Sequence, residues 1–353
     1  MGERMKRIFI LMMAAAVIVF AGCSKAGSAG ADADGGKAEA AVSAPKSDVF
    51  CVSLGWQENE SGQRQTLGYE EAFKDFGIPA DKVLWSNANY DPKLQSEQID
   101  AFIKMNPKAL FVTPSDPAGI TQAVKRATDA GIAVFVADAI IAGVPAVTSI
   151  CSNDFGMGTW SMKYIIDQIG GKGKVAIIDL PNNEAWDLRG QGARYILSQY
   201  PDVEVVAEWS WDSTGAVTPR QAVENMLTAN PDKGDLDAIW CAWDGAAMEG
   251  ALAIKDAGRK GEIITTGIDG GEYAFSIMKD DGVFALTMAQ SIYYMSYNSV
   301  RYAKDYLAGK QVPRFIIAPV YAATPDLLKK APADAYNYDI PGTADGYGWV
   351  PVL

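Results

Sequence analysis

The sequence has no histidine in its 353 residues. That absence excludes Ser-His-Asp and Cys-His relays and any imidazole metal ligand. Acid–base work by carboxylate, lysine or tyrosine stays open. Basic charge is scarce as well, with 31 Lys and Arg against 43 Asp and Glu, a net charge of −12. Nucleic-acid affinity comes mainly from neutralising phosphates with Lys and Arg, so no nucleic-acid partner is expected. The cysteines show no Cys-x-x-Cys or zinc spacing, and no metal or cofactor is expected. Gly170-Gly171-Lys172-Gly173-Lys174 lacks Walker spacing and reads as a turn, and no Gly-x-Ser-x-Gly elbow occurs.

What is present begins with an address. Arg4, Lys6 and Arg7 precede an apolar stretch, Ile8 to Phe20, of 13 residues. A typical spanning helix needs about 20. A basic start, a short apolar run and the small residues Ala21-Gly22 before Cys23 resemble a bacterial lipoprotein signal, with Cys23 the lipidated residue. An ordinary signal peptide that happens to contain Cys23 is the alternative. Residues 1–22 carry three basic and one acidic side chain, so the remainder stands at −14. Residues 24–46 are small, polar and aperiodic, a flexible tether spanning roughly 25–30 Å. Lipid anchoring on the outer side of the cell membrane is the expected location. Cys51, Cys151 and Cys241 lie inside apolar runs and read as buried free thiols.

From Val49 onward, short apolar runs alternate with segments of helical spacing. The runs lie at 49–54, 82–85, 109–113, 132–137, 146–151, 174–179, 203–208, 237–241, 262–266 and 283–288. Near-continuous apolar strands alternating with helices predict an α/β fold with parallel sheets covered on both faces. A faint internal repeat links 109–138 with 238–269. Each reads strand, helix, Asp-Ala-Gly, strand, Asp, which puts Asp138 and Asp269 in equivalent places.

In open α/β sheets, ligands bind beyond the carboxyl ends of the strands. The residues following the runs include Trp56, Glu60, Gln63, Arg64, Asp138, Asn182, Trp186, Arg189, Trp211, Trp243, Asp269 and Gln290. Carboxylates, carboxamides and arginine suit a polyhydroxylated ligand, whose hydroxyls both donate and accept. An indole can carry the C–H face of a sugar ring. Each residue has a plainer alternative. Asp138 and Asp269 are also suited to capping a turn or helix, and the indoles to core or rim packing. Arg189 stands early in a helix predicted over 185–199, where a cation opposes the helix dipole.

These same residues carry a family resemblance. The stretches ALFVTPSDPAGITQAVKRATDAGIAVFVAD, DLRGQGARYIL, AIWCAWDGAAMEGALAIKDAGRKGEIITTGIDGG and ALTMAQS are similar to periplasmic sugar-binding proteins of the ribose/galactose type. ENESGQR resembles the first-strand loop of the galactofuranose-type branch. The resemblance implies a type I periplasmic binding protein fold: two Rossmann-like lobes joined by a three-crossing hinge. It implies an N-terminal lobe of 49–150 plus 291–323, and a C-terminal lobe of 151–290 plus 324–353. It further implies that Asp138 and Arg64 contact ligand from the first lobe. Arg189, Trp243 and Asp269 would do so from the second, Gln290 from a hinge crossing, with Trp211 as a stacking ring. Two departures stand out. Trp243-Asp244 replaces the usual Asn-Asp, and Gln63 replaces an aromatic, so Trp56 is expected to supply stacking on the first lobe. The implied role is a non-enzymatic, monomeric receptor that delivers a monosaccharide or polyol to the permease subunits of an ABC importer. The alternatives are a sensory receptor of the same fold, or a site for a nucleoside or furanose-like signal molecule.

Overall fold

A computed structural model describes residues 46–353 except 182, 213, 341 and 344–346. Cys23, most of the tether and Asn182 lie outside the described residues. No helix among the described residues is long and apolar enough to cross a membrane.

Each of the ten apolar runs overlaps a strand. In chain order these are β1 (Phe50–Leu54), β2 (Val83–Asn87), β3 (Ala109–Thr113), β4 (Ala133–Ala137), β5 (Thr148–Cys151), β6 (Gly173–Asp179), β7 (Val203–Ser210), β8 (Ala238–Cys241), β9 (Ile264–Asp269) and β10 (Phe284–Gln290). Two short strands escaped the sequence reading, β11 (Phe315–Ile317) and β12 (Val320–Ala323). The helices are α1 (Glu60–Asp75), α2 (Pro92–Lys104), α3 (Pro117–Asp129), α4 (Asp154–Gln168), α5 (Glu184–Leu197), α6 (Pro219–Ala229), α7 (Asp244–Asp256), α8 (Glu272–Asp281), α9 (Ile292–Leu307) and α10 (Pro325–Lys330).

Local chemistry explains where the helices start. Asp91 and Asp116 cap α2 and α3 through their side chains, each followed by proline at the first helical position. Thr218 and Gln221 form a reciprocal capping box on α6. Such caps satisfy amide groups that a helix leaves open, at about 1 kcal/mol each. α7 behind Trp243 and α9 behind Ser291 have no side-chain cap, and neither has α8, whose N-cap Gly271 has no side chain to offer.

The strands build two six-stranded sheets, ordered β11-β5-β4-β3-β1-β2 and β12-β10-β9-β8-β6-β7. Pairing is parallel throughout, save for β12 against β10. β1, β3 and β8 are buried along their whole length, as strands covered on both faces must be. Alternate residues serve opposite layers. Phe111 and Phe135 pack with Tyr69 and Met295, while Leu110, Val112, Val134 and Val136 pack with Ile99 and Ile120. The second sheet repeats the scheme with cores around Ile239 and Phe284 on one face and Trp240 and Met157 on the other.

The chain passes between sheets three times, after β5, after β10 and between β11 and β12. The last passage falls at Ala318-Pro319, not after residue 323 as expected. β12 leaves the first lobe because Val320 to Ala323 pair with Gln290 to Thr287 of the second sheet. Pro319 has no amide donor for either ladder and separates the two short strands. Cys51, Cys151 and Cys241 are buried free thiols. Burial pushes the first two up to about 12, which leaves them unreactive.

Candidate functional site

The carboxyl ends of both sheets meet across a cavity of about 230 Å³. Drug-sized sites run to roughly 300–1,000 Å³, so this one suits a smaller molecule. It is lined by Trp56, Asp138, Trp186, Arg189, Trp211, Trp243, Asp269 and Gln290 among others.

Asp138 follows β4 and Asp269 ends β9, the equivalent points of the two repeats. Both have positive φ, +65° and +141°. L-residues avoid that region, and such strain persists where surroundings enforce it, often at functional sites. Arg189 on α5 is 3% exposed. Its Nε donates to Asp154 Oδ1 at 2.8 Å, and its Nη1 donates to the Ala242 carbonyl at 2.9 Å and to Asp269 Oδ1 at 3.3 Å. The early-helix cation is thus held by carboxylates from two other elements. Gln290 Nε2 donates to the same Asp269 oxygen at 2.9 Å. Gln290 Oε1 is buried without a partner. No protein donor is hydrogen-bonded to the Asp138 carboxylate among the described residues. Burial, reinforced by Asp154 and Asp269, pushes Asp138 up to about 8, against the opposing pull of Arg189. Burial likewise raises Asp154, Asp244 and Asp269.

The aromatic wall is shared between lobes. Trp56 stacks on Tyr90 with ring centres 5.8 Å apart and planes 4° from parallel. Trp56 also meets Trp186 at 5.6 Å, and Tyr90 meets Trp211 at 6.2 Å. Both of the latter contacts cross the cleft. So does the hydrogen bond from Asn183 Nδ2 to the Ser115 carbonyl, at 3.2 Å. The lobes are therefore closed on each other.

Three expected residues lie elsewhere. Glu60, Gln63 and Arg64 line an adjoining cleft with Gly270, Gly271 and Tyr273. Arg64 is engaged by Asp339 and Asn337, and its guanidinium lies 5.1 Å from the Tyr293 ring centre. Asp339 also accepts from the Tyr293 amide at 2.7 Å. Arg64 thus ties the C-terminal segment to the first lobe and has no reach left for the cavity. Gln63 is exposed and donates to the Glu58 carbonyl at 3.2 Å. Glu60 accepts from the Tyr273 amide on α8 at 3.0 Å.

Tyr90 and Asn59 are the residues that sequence reasoning missed. Tyr90 has φ +65°, and its hydroxyl accepts from Asn59 Nδ2 at 3.2 Å. The signal was its position just after β2, which with β3 is one of the two strand ends that yielded no candidate from the sequence. Asp154, which follows the fifth apolar run, is a buried partner of Arg189 rather than part of the cavity lining.

Two α/β lobes, joined by three crossings and closed over a polar cavity with an aromatic wall, define a bilobed solute-binding protein. The chain belongs to the periplasmic binding protein domain family, whose model matches residues 50–311. It is 28% identical to the ribose import binding protein of Bacillus subtilis, over 73% of this chain and 81% of that one. It is 27% identical to the D-allose-binding periplasmic protein of Escherichia coli, over 64% of this chain and 73% of that one. An ABC transporter solute-binding protein from Bacillus halodurans with bound myo-inositol superposes with a TM-score of 0.73, at 24% identity, over 80% of this chain and 96% of that one. The fold is that of type I periplasmic binding proteins, and the relatives are binding proteins of sugar transport rather than enzymes.

Proposed function

We propose that this chain is the receptor lipoprotein of an ABC importer, binding a monosaccharide or related polyol between its lobes and handing it to the permease. The observation that carries the reading is a pair of acceptors that face one small cavity with no protein donor, the partly buried Asp138 carboxyl and the buried Gln290 Oε1. A buried acceptor left unpaired costs about 1–3 kcal/mol, and ligand hydroxyls would supply the donors. Asp269 and Arg189 would hold further hydroxyls, with Trp56, Trp186, Trp211 and Trp243 against the C–H faces. Closure couples binding to shape, because one ligand can touch Asp138 and Asp269 together only when the lobes meet. The names of the relatives, which include ribose, D-allose and xylitol binding, support this ligand class.

Tryptophan fluorescence and equilibrium dialysis against a broad panel of sugars and polyols test it. Micromolar binding of at least one member is expected, and no binding across the panel would sink the reading. Anchoring is tested separately by mass spectrometry of the mature N-terminus, where an acylated Cys23 is expected. Delivery is tested by deleting the cognate permease, which should abolish growth on the ligand.

A further inference from the structure

The charges around the cavity do not balance. Arg189 is the one cation among the described residues that line it. Asp154 and Asp269 already hold that guanidinium, at 2.8 Å and 3.3 Å. Asp138 faces the same space from the other lobe, with no protein donor among the described residues. Asp244 lies behind Asp269, where it accepts from the Gly270 amide at 2.7 Å, and burial together with Asp269 raises its proton affinity. Glu60 contributes from the adjoining cleft. Arg64 offers no relief, being bound by Asp339.

The aromatic wall has the matching character. Trp56, Tyr90, Trp186 and Trp211 form a continuous chain of ring contacts in the cavity lining. Ring faces carry negative quadrupole density and attract cations, most strongly where water is excluded. Gln290 Oε1 adds a further acceptor. A neutral polyol would supply donors but leave Asp138 to keep its own proton, because nothing positive would offset its charge. An ammonium group supplies donors and cancels charge.

We infer that the preferred ligand is a monosaccharide-sized polyol bearing a protonated amino group, with the ammonium seated between Asp138 and the aromatic wall. This rests on the reading of the cleft as a polyol site and adds the charge of its occupant. The high proton affinity of Asp138 agrees with it. The ligand-free carboxyl holds a proton near neutrality that an arriving ammonium would displace. Burial sets this affinity first, Asp154 and Asp269 raise it further, and Arg189 opposes them.

The test is calorimetric titration of the full chain at pH 7 with matched pairs: hexoses against their 2-amino-2-deoxy forms, and inositol against amino-inositol. N-acetylated amines serve as neutral controls. At least one amine should bind tenfold or more tighter than its parent, N-acetylation should remove the gain, and binding should release a proton. Parents that bind as tightly as every amine overturn this inference and leave the polyol reading standing. Failure of both classes overturns the two together. In Asp138→Asn, checked by circular dichroism for folding, the amine-to-parent ratio should fall toward one. A ratio that survives intact overturns the role given to Asp138.

Discussion

Glu60, the first residue of α1, accepts a hydrogen bond from the Tyr273 amide at the start of α8, on the opposite lobe, at 3.0 Å. α8 has only Gly271 at its N-cap, and a Cβ there would fall 2.4 Å from the Glu60 carboxyl carbon. The carboxylate therefore does the work of a cap that α8 lacks, and does it across the cleft. A helix N-terminus favours negative charge, so this contact exists only while the lobes are closed.

Glu60→Ala should thus lower ligand affinity without touching the cavity. A lost cap is worth about 1 kcal/mol, which corresponds to roughly a fivefold weaker dissociation constant. Titration measures the affinity, and small-angle scattering should show a more open ligand-free population. An unchanged affinity together with unchanged scattering would mean that the contact does not bias closure.

Asp269→Ala should cost at least about 2 kcal/mol of binding. Asp269 anchors the cavity faces of Arg189 and Gln290 as well as facing the ligand space. Removing it leaves a buried guanidinium with only Asp154 as an ionic partner. A fall in melting temperature should accompany the loss of affinity. Full affinity in the variant would return Asp269 to a purely structural role.

Arg64→Ala should separate stability from recognition. Breaking a buried ion pair costs about 3 kcal/mol, and Asp339, 3% exposed in the intact protein, would lose its ionic partner and keep the Tyr293 amide. Denaturant titration should show that loss. The accompanying drop in ligand affinity should be smaller than that of Asp269→Ala. The reverse order would place Arg64 in the binding set after all.

The ligand-free protein should lose stability as pH rises from about 4 toward 8. Asp138 titrates near 8 when folded and near the ordinary carboxylate value when unfolded. Between those limits the folded state holds the extra proton, so each step up in pH favours unfolding. Asp154, Asp244 and Asp269 are raised as well and act in the same direction. Partly exposed Asp235 and Asp305 are lowered by lysine partners and act in the opposite sense, but only below about pH 4. Melting temperatures measured from pH 5 to pH 8 should fall, and Asp138→Asn should flatten the slope. A flat profile in the unsubstituted protein would contradict the buried, uncompensated state of Asp138.

The sequence by itself determined the two-sheet architecture. Strands buried on both faces must be apolar along their whole length, and helices covering them must show a 3.6-residue stripe, so the alternation was legible from Val49 onward. It also determined that Asp138 and Asp269 occupy equivalent strand ends, because the repeat preserves strand, helix and strand lengths. β11 and β12 were illegible because three and four residues, split by Pro319, carry no period of their own. Only the tertiary structure decided which polar residues after the strands share a cavity. Glu60, Gln63 and Arg64 follow β1 as Trp56 does, yet α1 carries them past the cleft, to α8 and the C-terminal segment. Tyr90 enters the wall through a left-handed backbone turn that its own side chain disfavours. Proximity across two lobes depends on how the sheets twist and close, and that geometry is set by contacts distant in the chain.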